Sequence, residues 1–204
     1  MRALAATLLL ALAPGAPPDA RALARKVQAL YDRTRDLEAG FVQTYTYTGG
    51  RKLVSRGILR LKKPGMMRWD YVEPEPKTIA VVGSRLVQWE PGVGQAYVDE
   101  HFDATAMSAA VTFLLGKGDL DREFVISSPE PGTLRLEPRR ADPRVESVTL
   151  TVSPDGEVTA TRVLDGSGNA NAIGFERVRR NVGLERADFE VKLPRDVRHV
   201  GPGR

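Results

Sequence analysis

The residues of this chain whose types could do chemistry are few: two histidines, two serines beside glycines, one Gly-Lys-Gly step and one close pair of aspartates. His101 and His199 are the only imidazoles, and neither has a second His or a Cys at ligand spacing, so no metal site is expected. Ser84 and Ser167 each adjoin a glycine, but a nucleophile elbow needs Gly two positions before and two after the serine, and neither has that. Both read as turn residues. Gly116-Lys117-Gly118 lacks the upstream Gly and the following Ser or Thr of a phosphate loop, and reads as a helix stop. Asp119 and Asp121 suit the negative charge wanted at a helix start better than acid–base work. No catalytic constellation emerges, so neither an enzyme nor a cofactor is expected.

What remains is binding, and the bulk properties say where. The 204 residues suit one domain, with 42% hydrophobic and 27% charged residues, ordinary globular usage. The net charge is +4, with arginines clustered at 135–144 and 177–180. These clusters carry no interleaved aromatics of the kind that stack bases, so no nucleic acid is expected; they read as solvated strand faces or as a docking surface for an acidic partner.

Met1-Arg2 is followed by an apolar run from Ala3 to Ala13, interrupted only by Thr7, then by a small, Pro-rich stretch. That order is the pattern of a secretion signal and is too short to span a bilayer. Residues 1–20 are therefore expected to be a signal peptide, cut between 13 and 22, with residues 21–204 forming a single exported domain. There is no cysteine. The fold must be held by its core, and the chain has no thiol to carry the lipid anchor of a bacterial lipoprotein.

From Asp19 to Glu38 the sequence reads as one amphipathic helix, with Leu23, Val27, Leu30, Tyr31 and Leu37 on one stripe. At Phe41 the period changes to alternation. Strands are expected at 41–48, 53–61, 66–72, 78–82, 85–90 and 95–98, punctuated by turn residues about every eight to twelve positions. Helical spacing returns between Ala104 and Arg122, with one further short turn at 119–123. Strands resume at 124–127, 133–137, 146–152, 157–164, 172–178 and 188–193. The pattern is mainly β, an antiparallel meander of about 11–12 strands with two or three α-helices.

The segment Gly57-Ile58-Leu59-Arg60-Leu61-Lys62-Lys63-Pro64-Gly65-Met66-Met67-Arg68-Trp69-Asp70-Tyr71, followed by Glu73-Pro74 and Val82-Gly83, closely resembles the signature of the outer-membrane lipoprotein carrier (LolA) family. Phe41-Val42-Gln43, Trp89-Glu90-Pro91 with Gln95, Phe113-Leu114-Leu115 and Phe189-Glu190-Val191 before Pro194 extend the match along the chain in order.

The resemblance implies an unclosed antiparallel β-barrel whose apolar face is covered by a lid of α-helices. It implies a periplasmic, monomeric carrier for acylated lipoproteins, loaded by an inner-membrane lipoprotein-releasing ABC transporter and emptied onto an outer-membrane acceptor. The alternative of the same fold is a periplasmic sensor that binds lipid or peptide. Met66, Met67, Trp69, Leu59 and Leu61 are the expected groove residues, methionine's flexible thioether suiting a surface that accepts varied chains. Leu23, Val27 and Leu30 with Phe113, Leu114 and Leu115 are the expected lid. In the family an Arg immediately before the signature Pro bonds to lid backbone carbonyls and holds the empty form shut. Here that position is Lys63, whose ammonium can donate to carbonyls but lacks the planar fork.

Overall fold

A computed structural model describes residues 19–103 and 119–202. The expected helix at 104–118, with Phe113, Leu114 and Leu115, lies outside the described residues, as does the apolar run at 1–18.

Helix α1 (Ala20–Arg33) opens at Asp19, whose carboxylate accepts from the Ala22 N–H at 3.0 Å. It closes at Thr34, where the backbone N–H donates to Tyr31 O and the hydroxyl to Leu30 O. The helix thus stops well short of the expected end at 38. Leu37 has the right offset for the helical stripe, but it alternates with Ala39 and Phe41 on the buried face of strand β1 (Asp36–Thr46). The Asp36 carboxylate, itself buried, fixes the change of direction by accepting from the N–H groups of Val182 and Gly183.

Eleven further strands follow: β2 (Lys52–Lys62), β3 (Met66–Glu73), β4 (Lys77–Val82), β5 (Arg85–Trp89), β6 (Gln95–Asp99), β7 (Phe124–Ser127), β8 (Thr133–Pro138), β9 (Ser147–Val152), β10 (Val158–Leu164), β11 (Ala170–Arg180) and β12 (Arg198–Val200). A short helix α2 (Leu120–Glu123), capped by Asp119, leads into β7. All twelve strands join one sheet in the order β12-β6-β5-β4-β3-β2-β1-β11-β10-β9-β8-β7, so β7 and β12 stand at opposite edges and the barrel is unclosed. Neighbours are antiparallel except β12, which runs parallel to β6.

The expected strand at 188–193 is absent. Arg186–Phe189 is instead a 3₁₀ turn, started by a reciprocal Glu185–Asp188 capping box, and it drives Phe189 to 0% exposure. Arg68 Nη1 donates to the Asp188 and Glu190 carbonyls at 3.3 and 2.8 Å, taking up acceptors that a ladder would otherwise use. The alternation of Phe189-Glu190-Val191 therefore marks a strap laid across the sheet's outer face, against Ala80, Val82 and Val87. The last strand comes only afterwards, at β12.

The outer face carries a ladder of charges. Arg179 donates to Glu38; Arg60 donates to Glu38 and to Asp70, both at 2.9 Å; Arg68 reaches Asp70 at 2.8 Å; and the Thr78 hydroxyl donates to Asp70 at 2.8 Å. It runs from β11 through β1, β2 and β3 to β4. Half-buried pairs of this kind add little net energy, but removing one member strands the others in a poorly hydrated site. The arginines and aspartate of the signature are thus held in register across five strands.

Glu38 titrates below the usual carboxylate range, chiefly through the Arg179 hydrogen bond and further through Arg60, against the opposing effect of burial. A depressed folded-state value means stability that is present above the unfolded value of about 4.3 and lost as pH falls through the folded value. Urea titrations from pH 7 to pH 3 are expected to show a stability decline on the acid side that is shallower in Glu38→Gln, which also starts from a lower value at pH 7. Parallel acid limbs for the two proteins would remove Glu38 from that account.

Candidate functional site

Apart from the residues under the strap, such as Phe189, Ala80 and Val87, most buried apolar side chains among the described residues fall into two clusters. One joins Ala24 and Val27 of α1 with Leu120, Phe124 and the inward residues of β8, β9 and β10. The other gathers Leu37, Ala39, Phe41, Leu59, Leu61, Met67 and Val81 from β1 to β4. Phe175 of β11 packs against both. Between them lies a cavity of about 250 Å³.

Alternation along the strands builds one side of the cavity. Met67, Trp69 and Tyr71 of β3 share a face, joined by Ile79 of β4. Phe124, Leu136, Leu150 and Val158 form the facing side. Ile173 and Phe175 of β11, with Gln43 of β1, lie across the bottom, and Thr161 and Asn171 complete it. Among the described residues, the Tyr71 phenol is the only ionisable group of the lining; burial pushes it up, partly offset by a hydrogen bond from Gln43. Such a wall offers neither nucleophile nor base, and it suits an apolar ligand.

The signature glycine has a local reason. A Cβ on Gly57 would stand 2.0 Å from the Asp70 carbonyl oxygen and 2.8 Å from the Phe41 ring. Phe41 occupies the space that Gly57 leaves, and meets Trp69 and Tyr71 edge-to-face at centroid distances of 4.8 and 5.1 Å. This aromatic triad holds the two cavity-lining rings in place.

The expected groove residues separate into three groups. Met67 and Trp69 line the cavity. Leu59 and Leu61 share their face, opposite Trp69 and Met67 in register, but are only 1% and 6% exposed, as packing beneath the wall. Met66 alternates onto the outer face, between Lys62 and Val82, which corrects its place in the group. Of the expected lid, Val27 is fully buried, Leu23 packs against the same cluster, and Leu30 is half-buried near the C-terminal end of α1. Lys63 donates from its ammonium to the Tyr31 carbonyl in the last turn of α1. The Tyr31 phenol is pushed up to about 12 by burial and by the charge of Glu157, and stays neutral at any physiological pH.

Gln43, Thr161, Asn171, Ile173 and Phe175 are site residues that the sequence does not point to. Their strands are legible in it, but which strands neighbour one another is not. Asn171 reaches Gln43 only because β11, late in the chain, returns to pair with β1.

Comparison with known proteins agrees with this architecture. The sequence profile of the family described as "Outer membrane lipoprotein carrier protein LolA" matches residues 32–192. The outer-membrane lipoprotein carrier protein of Alkalilimnicola ehrlichii is 31% identical over 177 residues, covering 85% of this chain and 82% of that one. That of Azotobacter vinelandii is 30% identical over 191 residues, covering 90% and 89%. An uncharacterised conserved protein from Thermus thermophilus shares the fold at a TM-score of 0.54 and 12% identity, covering 90% of this chain and 99% of its own.

The close approach of the Asp70 carbonyl and the Phe41 ring to Gly57 is checked by substitution. Gly57→Ala is expected to lower the unfolding free energy by about 3 kcal/mol, the upper end of ordinary overpacking. Gly174→Ala, where nothing lies within 4 Å of the added carbon, should shift it by no more than about 0.5 kcal/mol. Equal losses in a denaturant titration would show that the space over Gly57 is not what matters.

Proposed function

The chain belongs to the outer membrane lipoprotein carrier family, and from that premise we propose that its cavity takes up the acyl chains of lipoproteins and shields them during passage through the periplasm. The observation that carries the proposal is the cavity between the two cores, about 250 Å³, with no ionisable group but a phenol in its described lining. On this reading the protein works as an exported monomer, loaded by a lipoprotein-releasing transporter of the inner membrane and unloaded by an acceptor at the outer membrane.

Magnitudes support a covered site. Each buried methylene gains about 0.8 kcal/mol, so an acyl chain left in water costs on the order of 10 kcal/mol. An apolar cavity of about 150 Å³ accommodates benzene. The cavity here is larger by only about two-thirds, room for part of a long chain, so loading must displace something that covers it. Helix α1 is the described element placed to move, and the Lys63 ammonium on the Tyr31 carbonyl holds its last turn toward β2 and β3, beside the Asn181 amide on the Arg33 carbonyl. A single charge-assisted hydrogen bond of about 1.5–3 kcal/mol is strong enough to bias closure and weak enough for an incoming chain to break.

Two measurements test this. Co-expressed with a triacylated lipoprotein, the mature protein should be recovered from periplasm as a soluble one-to-one complex by mass spectrometry. Ile173→Glu, at a half-buried cavity position, should remove the complex while the protein stays folded. Copurification of free lipid or peptide, with the lipoprotein left in the membrane, would favour a sensor over a carrier. Lys63→Met should speed amide exchange in the last turn of α1 about tenfold or more, and Lys63→Arg should restore protection. Unchanged exchange in Lys63→Met would discard the locking role.

A further inference from the structure

The cavity is not uniformly apolar. In register across the sheet, Thr161 of β10 stands opposite Ile173, Ile173 opposite Gln43, and Gln43 opposite the buried Ser55 of β2. Asn171 lies one step further along the same face, and Tyr71 flanks the row on the β3 side. Gln43 Nε2 donates to Asn171 Oδ1 at 2.9 Å. Four hydrogen-bonding side chains, Tyr71, Gln43, Asn171 and Thr161, thus form a band along one side of an otherwise apolar lining.

The band has a direction. Further along β1 from Gln43, the same face carries Tyr45 and Tyr47, edge-to-face at 4.8 Å, with the Arg51 guanidinium 4.1 Å from the Tyr47 ring centroid. In the opposite sense lie Phe41, Trp69 and Met67. Amphipathic aromatics and a cation therefore lie on one side of the band and hydrocarbon on the other.

The donor inventory narrows the ligand. Gln43 donates to Asn171 Oδ1, so the donors that the lining offers beside it are the Asn171 amide nitrogen, the Tyr71 O–H and the Thr161 hydroxyl. Donors beside an apolar wall are costly when left unmade, and a site built to make such bonds discriminates against a ligand that cannot accept them. From this, resting on the acyl-binding reading above, we infer that Tyr71, Gln43, Asn171 and Thr161 form a subsite for the carbonyl oxygens of ester- or amide-linked acyl groups. The tails then run toward Phe41 and Met67, and the polar head leaves past Tyr45 and Tyr47. The ligand is oriented by this band, and a bare hydrocarbon is not.

The test compares ligands that differ in the carbonyl and in the head attached to it. Displacement of an apolar fluorophore from the full protein is measured with dodecane, with glycerol dilaurate and with a dilauroyl-S-glycerylcysteine peptide. The double variant Thr161→Val, Asn171→Leu is expected to bind the esters about tenfold more weakly and dodecane as well as before, dodecane binding also reporting that the variant is folded. Thr161→Val alone, nearly isosteric, should show the same sign with a smaller loss. Loss for both esters assigns the band to the ester carbonyl common to free lipid and lipoprotein; loss confined to the lipopeptide moves the contact to the cysteine head and overturns the carbonyl subsite. Unchanged ester affinity, or an equal loss for dodecane, overturns the subsite. Failure of all three ligands to displace the fluorophore from the unmodified protein overturns the acyl-binding reading together with it.

Discussion

A sheet whose two edge strands never meet must bury one face without closing upon itself, and everything else in this structure answers to that constraint. Strands β7 and β12 stand at the two ends of the strand order, so the apolar face between them cannot be sealed by hydrogen bonding. It is sealed by side chains instead, and among the described residues these form two cores that meet at Phe175. The cavity is the consequence: it lies where the packing of β1 to β4 ends and the packing of α1 with β7 to β10 begins. On the outer face the same openness is met by charge. The ladder from Arg179 to Thr78 and the C-terminal strap over Ala80 and Val87 hold the strands on the side where no second layer of sheet lies.

Much of this is legible in the sequence because local period suffices for it. The start of the first helix at Asp19 and the strands at 66–72 and 124–127 depend only on near neighbours, and the structure has them as expected. Leu37 misleads because its offset fits both a helical stripe and a strand face, and pairing with β2 and β11 decides between them. Phe189 misleads because three residues alternate equally well in a strand and around a tight turn. Arg68, far earlier in the chain, supplies the bonds that select the turn.

The candidate site shows the same division more sharply. Its β3 side follows from one segment and is readable there. Its polar side joins β1 to β10 and β11, whose adjacency no periodicity encodes. Gly57 lies between these cases. Its presence in the signature is plain, but its reason, the Asp70 carbonyl and the Phe41 ring lying where a side chain would be, needs the register of β2 on both β3 and β1.

An apolar cavity between two cores has a cost that bears on how such a site can work. On the scale of about 24 cal/mol per Å³ found for cavities in packed cores, 250 Å³ corresponds to at most about 6 kcal/mol of packing forgone. Filling it recovers that contact energy as well as the transfer energy of the methylenes. The hydrogen bond from Lys63 to the last turn of α1 is smaller than either, about 1.5–3 kcal/mol. On the proposed reading these magnitudes set the balance: an entering acyl chain would gain contact and transfer energy against a cost of opening that includes the Lys63 bond and the packing of Ala24 and Val27 beneath α1. On the same reading, release would have to come from outside the cavity, from a surface that offers the chain still more.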